Sequence, residues 1–294
     1  MKNYFYLIFT LSLAACVSSN PNKQVPLKDN FSNLKLGSWT LENNLKGDGI
    51  ILIPQWHLSP NADPKPGEKV PQETNQRAIF AQLSNWIEAH TFDVFLAEGC
   101  EGRFEDQLDK KLNGWSTNDL KIRKDIDTIL APIAFKLSAK YSKKIQILCA
   151  DNEKLIKDHQ MVFSNLRGLA GFKTRIEQTS LSTSDRQTYT TAATEILRLP
   201  KSSNQAIVLA KLNSEIKKSI EQFENLLHLR NESVVTKAKS QKGIKVTVIG
   251  ALHINDLQAQ LKKENIAFSI WTPEGLDTKD AQLIQELKAK VDLK

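Results

Sequence analysis

VTVIGALHIND, residues 246–256, joins an apolar run to a glycine, a histidine and an aspartate. The β-branched residues Val246, Thr247, Val248 and Ile249 predict a fully buried strand, and Gly250 predicts a sharp turn at its end. His253 falls in that turn, and Asp256 can cap a helix that runs through LQAQLKKEN. The unit therefore reads strand, glycine turn, histidine, helix. In open α/β sheets ligands collect beyond the carboxyl ends of the strands, which is where His253 lies.

Other stretches of the chain share this grammar. Residues 49–54 (GIILIP) are a short apolar run ending in Gln55-Trp56-His57, and residues 92–97 (FDVFLA) are another, closed by Glu98-Gly99. Residues 144–150 (KIQILCA) precede Asp151-Asn152, and residues 266–271 (IAFSIW) supply a fifth strand. After His57 a stretch with four prolines reads as a loop. Residues 74–90 then place Ala78, Ile79, Leu83, Trp86 and Ile87 at helical spacing. Residues 105–140 follow a less regular helical pattern, broken at Gly114 and Pro132. Residues 154–241 are polar with heptad-like apolar positions, among them Ile216, Ile220, Phe223, Leu226 and Leu227. They predict a large helical insertion before the fourth core strand, covering or flanking one mouth of the sheet. The alternation of β and α segments predicts an α/β fold, a mainly parallel sheet flanked by helices, as one domain over residues 34–294.

The first fifteen residues stand apart from this domain. Lys2 is a minimal positive region, residues 4–13 are apolar, and Leu13-Ala14-Ala15-Cys16 resembles the lipobox of bacterial lipoproteins. Ten apolar residues are too few to span a bilayer, so the expectation is a signal peptide cleaved before Cys16, with lipid such as palmitate attached there. Residues 16–33, rich in Ser, Asn, Lys and Pro, read as a flexible tether. The expected location is the bacterial cell envelope, at the outer membrane and facing the periplasm or the cell surface, with the membrane as a partner through the anchor. Cleavage would leave 39 basic against 33 acidic residues. Those lysines are spread along helices without interleaved aromatics, a pattern of solvated surface rather than of nucleic-acid binding. Cys100 and Cys149 either form one disulfide in an oxidising compartment or serve as small buried apolar residues.

Four predicted strands thus end in His57, Glu98, Asp151 and His253. Parallel strands would bring all four to one edge of the sheet. Two imidazoles and a carboxylate can hold a divalent metal with positions open for water and substrate, or act without metal as a base and its orienting carboxylate. Each has a plainer reading: Asp151 as the amino cap of the next helix, Glu98 as a loop carboxylate, His57 as a loop residue. His90, His159 and His228 fall in helical segments and read as surface or packing residues.

The same residues resemble the TraB/GumN/TIKI family, within a superfamily that also holds ChaN-like haem-binding lipoproteins and erythromycin esterase. That pattern is an early strand ending G-x-x-H, a strand ending in Glu, an Arg-Asn pair on a helix and a late strand ending G-x-x-H. Gly250-Ala251-Leu252-His253 carries the late motif, Glu98 the strand-end carboxylate and Arg230-Asn231 the pair. The early motif departs, with Pro54 before Gln55-Trp56-His57 where the family has glycine. The resemblance implies a metal-dependent hydrolase acting on a peptide or an ester, its partner being a peptide or small-molecule substrate. His57, His253 and Glu98 would hold manganese, cobalt or zinc, Glu98 or Asp151 would move a proton, and Arg230 would neutralise Glu98 or hold a developing oxyanion. It implies as the alternative a lipoprotein that binds haem or another ligand without catalysis; Tyr141 and Tyr189 are the tyrosines that remain after cleavage.

Overall fold

The computed structural model describes residues 36–56, 71–107, 132–277 and 279–292. The lipobox with Cys16, the tether and His57 lie outside the described residues.

Every apolar run expected to form a strand does so. In chain order the strands are β1 (Gly37–Leu41), β2 (Gly49–Gln55), β3 (Val94–Ala97), β4 (Gln146–Cys149), β5 (Ile244–Gly250) and β6 (Phe268–Pro273). They make one sheet in the order β1-β6-β2-β5-β3-β4. β2, β5, β3, β4 and β6 run parallel, and only β1 is antiparallel, on the edge beside β6. β1 lacks a continuous apolar run, and its central residues are exposed. Its pairing with β6 rather than a hydrophobic pattern makes it a strand.

Helices cover both faces, because alternate side chains of each buried strand point to opposite sides. On one face α1 (Pro71–Glu88) and α2 (Ile133–Tyr141) pack over Ile51, Ile53, Phe95, Val246 and Val248. On the other, α6 (Ile254–Lys263) and the end of α5 (Gln205–Lys239) pack Leu257, Leu261, Val234, Val235 and Ala238 over Ile50, Leu52, Leu96, Ile249 and Ile270. Each such fully buried aliphatic side chain contributes about 1.5–3 kcal/mol of transfer free energy. Thr247, wholly buried in β5, is accommodated because its Oγ1 donates to the Leu96 carbonyl at 2.9 Å.

The predicted insertion consists of α3 (Glu153–Glu177), α4 (Thr183–Ile196) and α5. Its own core joins Leu166, Leu169 and Ile176 to Val208, Leu212, Ile216, Ile220 and Phe223. The C-terminal α7 (Lys279–Asp292) adds Ile284 and Leu287 to that core. The 35 residues of α5 span about 52 Å, so one helix serves both the insertion and the sheet. Its buried stripe is apolar but for Ser219 from Val208 to Leu227 and becomes polar at Arg230 and Asn231 as it passes the strand ends. It returns to Val234, Val235 and Ala238 over the sheet. Among the described residues no helix is long and apolar enough to cross a membrane.

Cys100 and Cys149 are disulfide-bonded, with Cα atoms 5.0 Å apart and a sequence separation of 49. The bond ties the loop after β3 to the end of β4. Of Gly99 and Gly250, the glycines at the carboxyl ends of β3 and β5, only Gly99, at φ +79°, uses the left-handed region that glycine alone enters freely. Gly250, at φ −52° and ψ 139°, has a conformation open to other residues. Pro54 lies inside β2 rather than in a turn, beyond Leu52 where pairing with β6 stops, so its missing N–H breaks no ladder bond on that side.

Candidate functional site

The carboxyl ends of β2, β5 and β3 lie side by side, with Gln55 level with Gly250 and Ala97 level with Val248. Connections run one way through β2, β3 and β4 and the other way from β5 to β6. The crevice where direction reverses is the ordinary ligand position of such sheets. Glu98, Asp151 and His253 all sit there, joined by Arg230 and Asn231 from α5. His57 lies outside the described residues. The residue before it, Trp56, is pinned at this edge: its N–H donates to Asn75 Oδ1 at 2.9 Å and its carbonyl accepts from Gln76 Nε2 at 2.9 Å.

Arg230 is the hub. Its Nε donates to both oxygens of Asp151 at 3.2 and 3.1 Å, and Nη2 donates to Asp151 Oδ2 at 2.6 Å and to Glu98 Oε1 at 3.1 Å. Nη1 donates to His159 Nδ1 at 2.8 Å. The carboxylates are also held by main chain, Glu98 Oε2 by the Gly250 N–H at 3.0 Å and Asp151 Oδ2 by the Gly99 N–H at 3.2 Å. Burial opposes the charge on Arg230, yet its bonds to Asp151 and the field of Glu98 outweigh burial and hold its pKa above the ordinary value.

His253, in the 3-10 turn Ala251–His253, is 4% exposed. Asn231 Nδ2 donates to the His253 carbonyl at 3.2 Å and to Asp256 Oδ2 at 2.7 Å, which leaves Asn231 Oδ1 to accept. His253 Nδ1, 2.7 Å from that oxygen, therefore carries the hydrogen, and Nε2 carries a lone pair. This lone pair stands 3.3 Å from Glu98 Oε1. Burial pushes His253 down to about 4 despite the opposing pull of Glu98, so the imidazole is neutral at pH 7.

Glu98 Oε1, which also accepts from Arg230, and His253 Nε2 are two acceptors 3.3 Å apart that a proton or a metal could bridge. Two ligand atoms about 2.1 Å from one tetrahedral ion stand about 3.4 Å apart, so the pair has the spacing of a shared metal. Among the described residues no group of three His, Cys, Asp or Glu could hold an ion by itself. A third ligand, His57 in the sequence-based expectation, would have to join them.

Several expectations change in detail. Asp151 does not cap α3: Asn152 does, accepting from the Leu155 N–H, while the buried Asp151 grips Arg230. Asp256 lies in the first turn of α6 without capping it, and its carboxylate binds Asn231, His228 and Gln260 instead. His90 follows α1 in a left-handed conformation, outside the helix. His228 is half-exposed, as a surface residue should be. Tyr141 is buried under α1, and Tyr189 packs on the insertion core. His159 is the residue that sequence reasoning missed. It is buried against Phe223, ring centroids 4.3 Å apart, and lies 6.2 Å from the His253 ring. The signal was its spacing: 159, 166, 169, 173 and 176 form one buried stripe of α3. Because Nδ1 accepts from Arg230, Nε2 carries the hydrogen, and it is buried with no hydrogen-bond partner among the described residues. Burial, and then Arg230, push His159 down to about 4.

Comparison of the chain with family models, with curated proteins and with solved structures gives no significant match.

Proposed function

We propose that this protein is an envelope-tethered, metal-dependent hydrolase of the TraB/GumN/TIKI type, acting on a peptide or an ester. The observation that carries the reading is the acceptor pair formed by His253 Nε2 and Glu98 Oε1, buried at the carboxyl edge of a parallel sheet. His57, His253 and Glu98 would hold a divalent ion such as manganese, cobalt or zinc, which would supply Lewis acidity and lower the pKa of a water beside it.

The chain's own groups have separable tasks around that position. Asn231 holds the His253 ring with its lone pair directed at the site. Glu98 takes the proton of the attacking water. Arg230 keeps Glu98 ionised in a buried setting and places a fixed positive charge beside the developing oxyanion. Asp151 takes three of the Arg230 hydrogen bonds against one for Glu98, which suits it to holding the guanidinium rather than to moving protons. The Cys100–Cys149 disulfide supports the extracytoplasmic setting that the lipobox suggests, since such bonds persist in oxidising compartments.

The test is turnover of a peptide pool and a panel of aryl esters by the purified protein. Cleavage abolished by a chelator, restored by one of the three metals and absent in His253→Ala is the expected result. Cleavage that survives both the chelator and His253→Ala would refute the reading.

A further inference from the structure

We propose that Asp256 is a positioning residue of this site, fixing the tautomer of His253 through the Asn231 amide. Its importance rests on the reading of His253 Nε2 as the working atom. The geometry behind it stands without that reading.

Asn231 is 0% exposed and cannot turn to water for partners. Its Nδ2 has two hydrogens and two acceptors, Asp256 Oδ2 at 2.7 Å and the His253 carbonyl at 3.2 Å. Turning the amide over would set its oxygen against both acceptors, trading two bonds for two repulsions. The carboxylate, its side chain 30% exposed, is still the stronger of the two anchors because charge-assisted hydrogen bonds are roughly twice as strong as neutral ones. With the amide so oriented, its oxygen faces His253 Nδ1 at 2.7 Å and can only accept. The hydrogen is thereby kept on Nδ1 and the lone pair on Nε2.

Asp256 is braced from the far side. His228 Nδ1 lies 2.8 Å from its Oδ1, and Gln260 Nε2 donates to its Oδ2 at 2.7 Å. These bonds, with that from Asn231, hold the carboxyl below its usual range against the cost of burial. The chain of contacts thus runs from His228 on the surface through Asp256 and Asn231 to His253. Metal-binding histidines commonly have the tautomer set by a hydrogen bond to the other ring nitrogen. Here the aspartate acts one residue removed.

The experiment is two-bond proton–nitrogen correlation NMR of metal-free protein labelled with 15N-histidine, at pH 7.5, with His253→Gln assigning the signals. Wild type should show His253 protonated on Nδ1. Asp256→Ala should shift the tautomer ratio toward Nε2–H by tenfold or more, and Asp256→Asn, whose amide oxygen can still accept from Asn231, should restore the wild-type pattern. Asp256→Leu, which fills the same space, is read in the same way should the alanine variant fail to fold. Wild type protonated on Nε2, an unchanged ratio in the folded alanine or leucine variant, or no restoration by asparagine would each overturn the proposal. The readout needs neither substrate nor metal, so it can fail while the hydrolase reading survives, and the reverse.

Discussion

Replacing Arg230 with alanine takes from Glu98 and Asp151 the guanidinium they share, although their side chains are only 9% and 2% exposed. Removing one partner of a buried ion pair costs about 3–5 kcal/mol, because the remaining charge is left in a poorly solvated place. Main-chain N–H groups still hold both carboxylates, so the lower half of that range is expected, about 3–4 kcal/mol. That is a large share of the ~5–15 kcal/mol by which a domain is usually stable. The loss should depend on pH in a defined sense. In the variant, protonating a carboxylate left without the guanidinium removes an uncompensated buried charge, so acid costs the variant less than it costs the wild type. The deficit relative to wild type should therefore shrink on acidification. Arg230→Lys, which keeps the charge and loses the fork, should recover only part of the loss. Urea unfolding followed by tryptophan fluorescence, with wild type and variants at both pH values, gives these differences directly. A deficit below about 1 kcal/mol at pH 7, or one that does not shrink at pH 5, would refute the picture of a buried charged hub.

His253 and His159 fold with pKa values of about 4 against 6.5 in the unfolded chain, so between these values the unfolded state binds more protons. Their stability is fully present above pH 6.5 and falls as pH drops toward 4. Each histidine should contribute about 2 kcal/mol of loss between pH 7 and pH 5, and the double variant His159→Phe/His253→Phe should flatten the urea-midpoint profile over that range. The Cys100–Cys149 bond closes a loop of about fifty residues, for which the chain-entropy estimate is about 4 kcal/mol. Cys100→Ser/Cys149→Ser should lower stability by that order in the same assay, and a loss under 1 kcal/mol would show that packing alone holds the ends of β3 and β4 together.

The parts of this fold that were legible in sequence were those where burial speaks through composition. GIILIP and VTVIG are apolar on both faces because β2 and β5 are central strands with helices above and below. β1 carries no such signal. It is a short edge strand with exposed central residues, and its pairing with β6 is non-local. Glu98 and His253 could be found because each ends an apolar strand. The deeper part of the site was harder, since its residues lie on helices where a polar side chain in a buried stripe resembles a surface one. Arg230 became visible only through the Arg-Asn resemblance. His159 and the true partners of Asp256 depend on contacts between α3, α5 and α6 that no local pattern encodes. Asp151 was misassigned by one position: Asn152 has the capping geometry, and the carboxylate before it is freed to face inward.

The central claim is that His253 and Glu98 share a metal, with His57 as a third ligand. Elemental analysis of the purified protein after incubation with manganese, cobalt or zinc, beside His57→Ala, His253→Ala and Glu98→Gln, tests it most directly. The account predicts near-stoichiometric metal in the wild type and at least a tenfold loss in each of the three variants. Equal metal content in wild type and variants, or none in the wild type with any of the three ions, would contradict it.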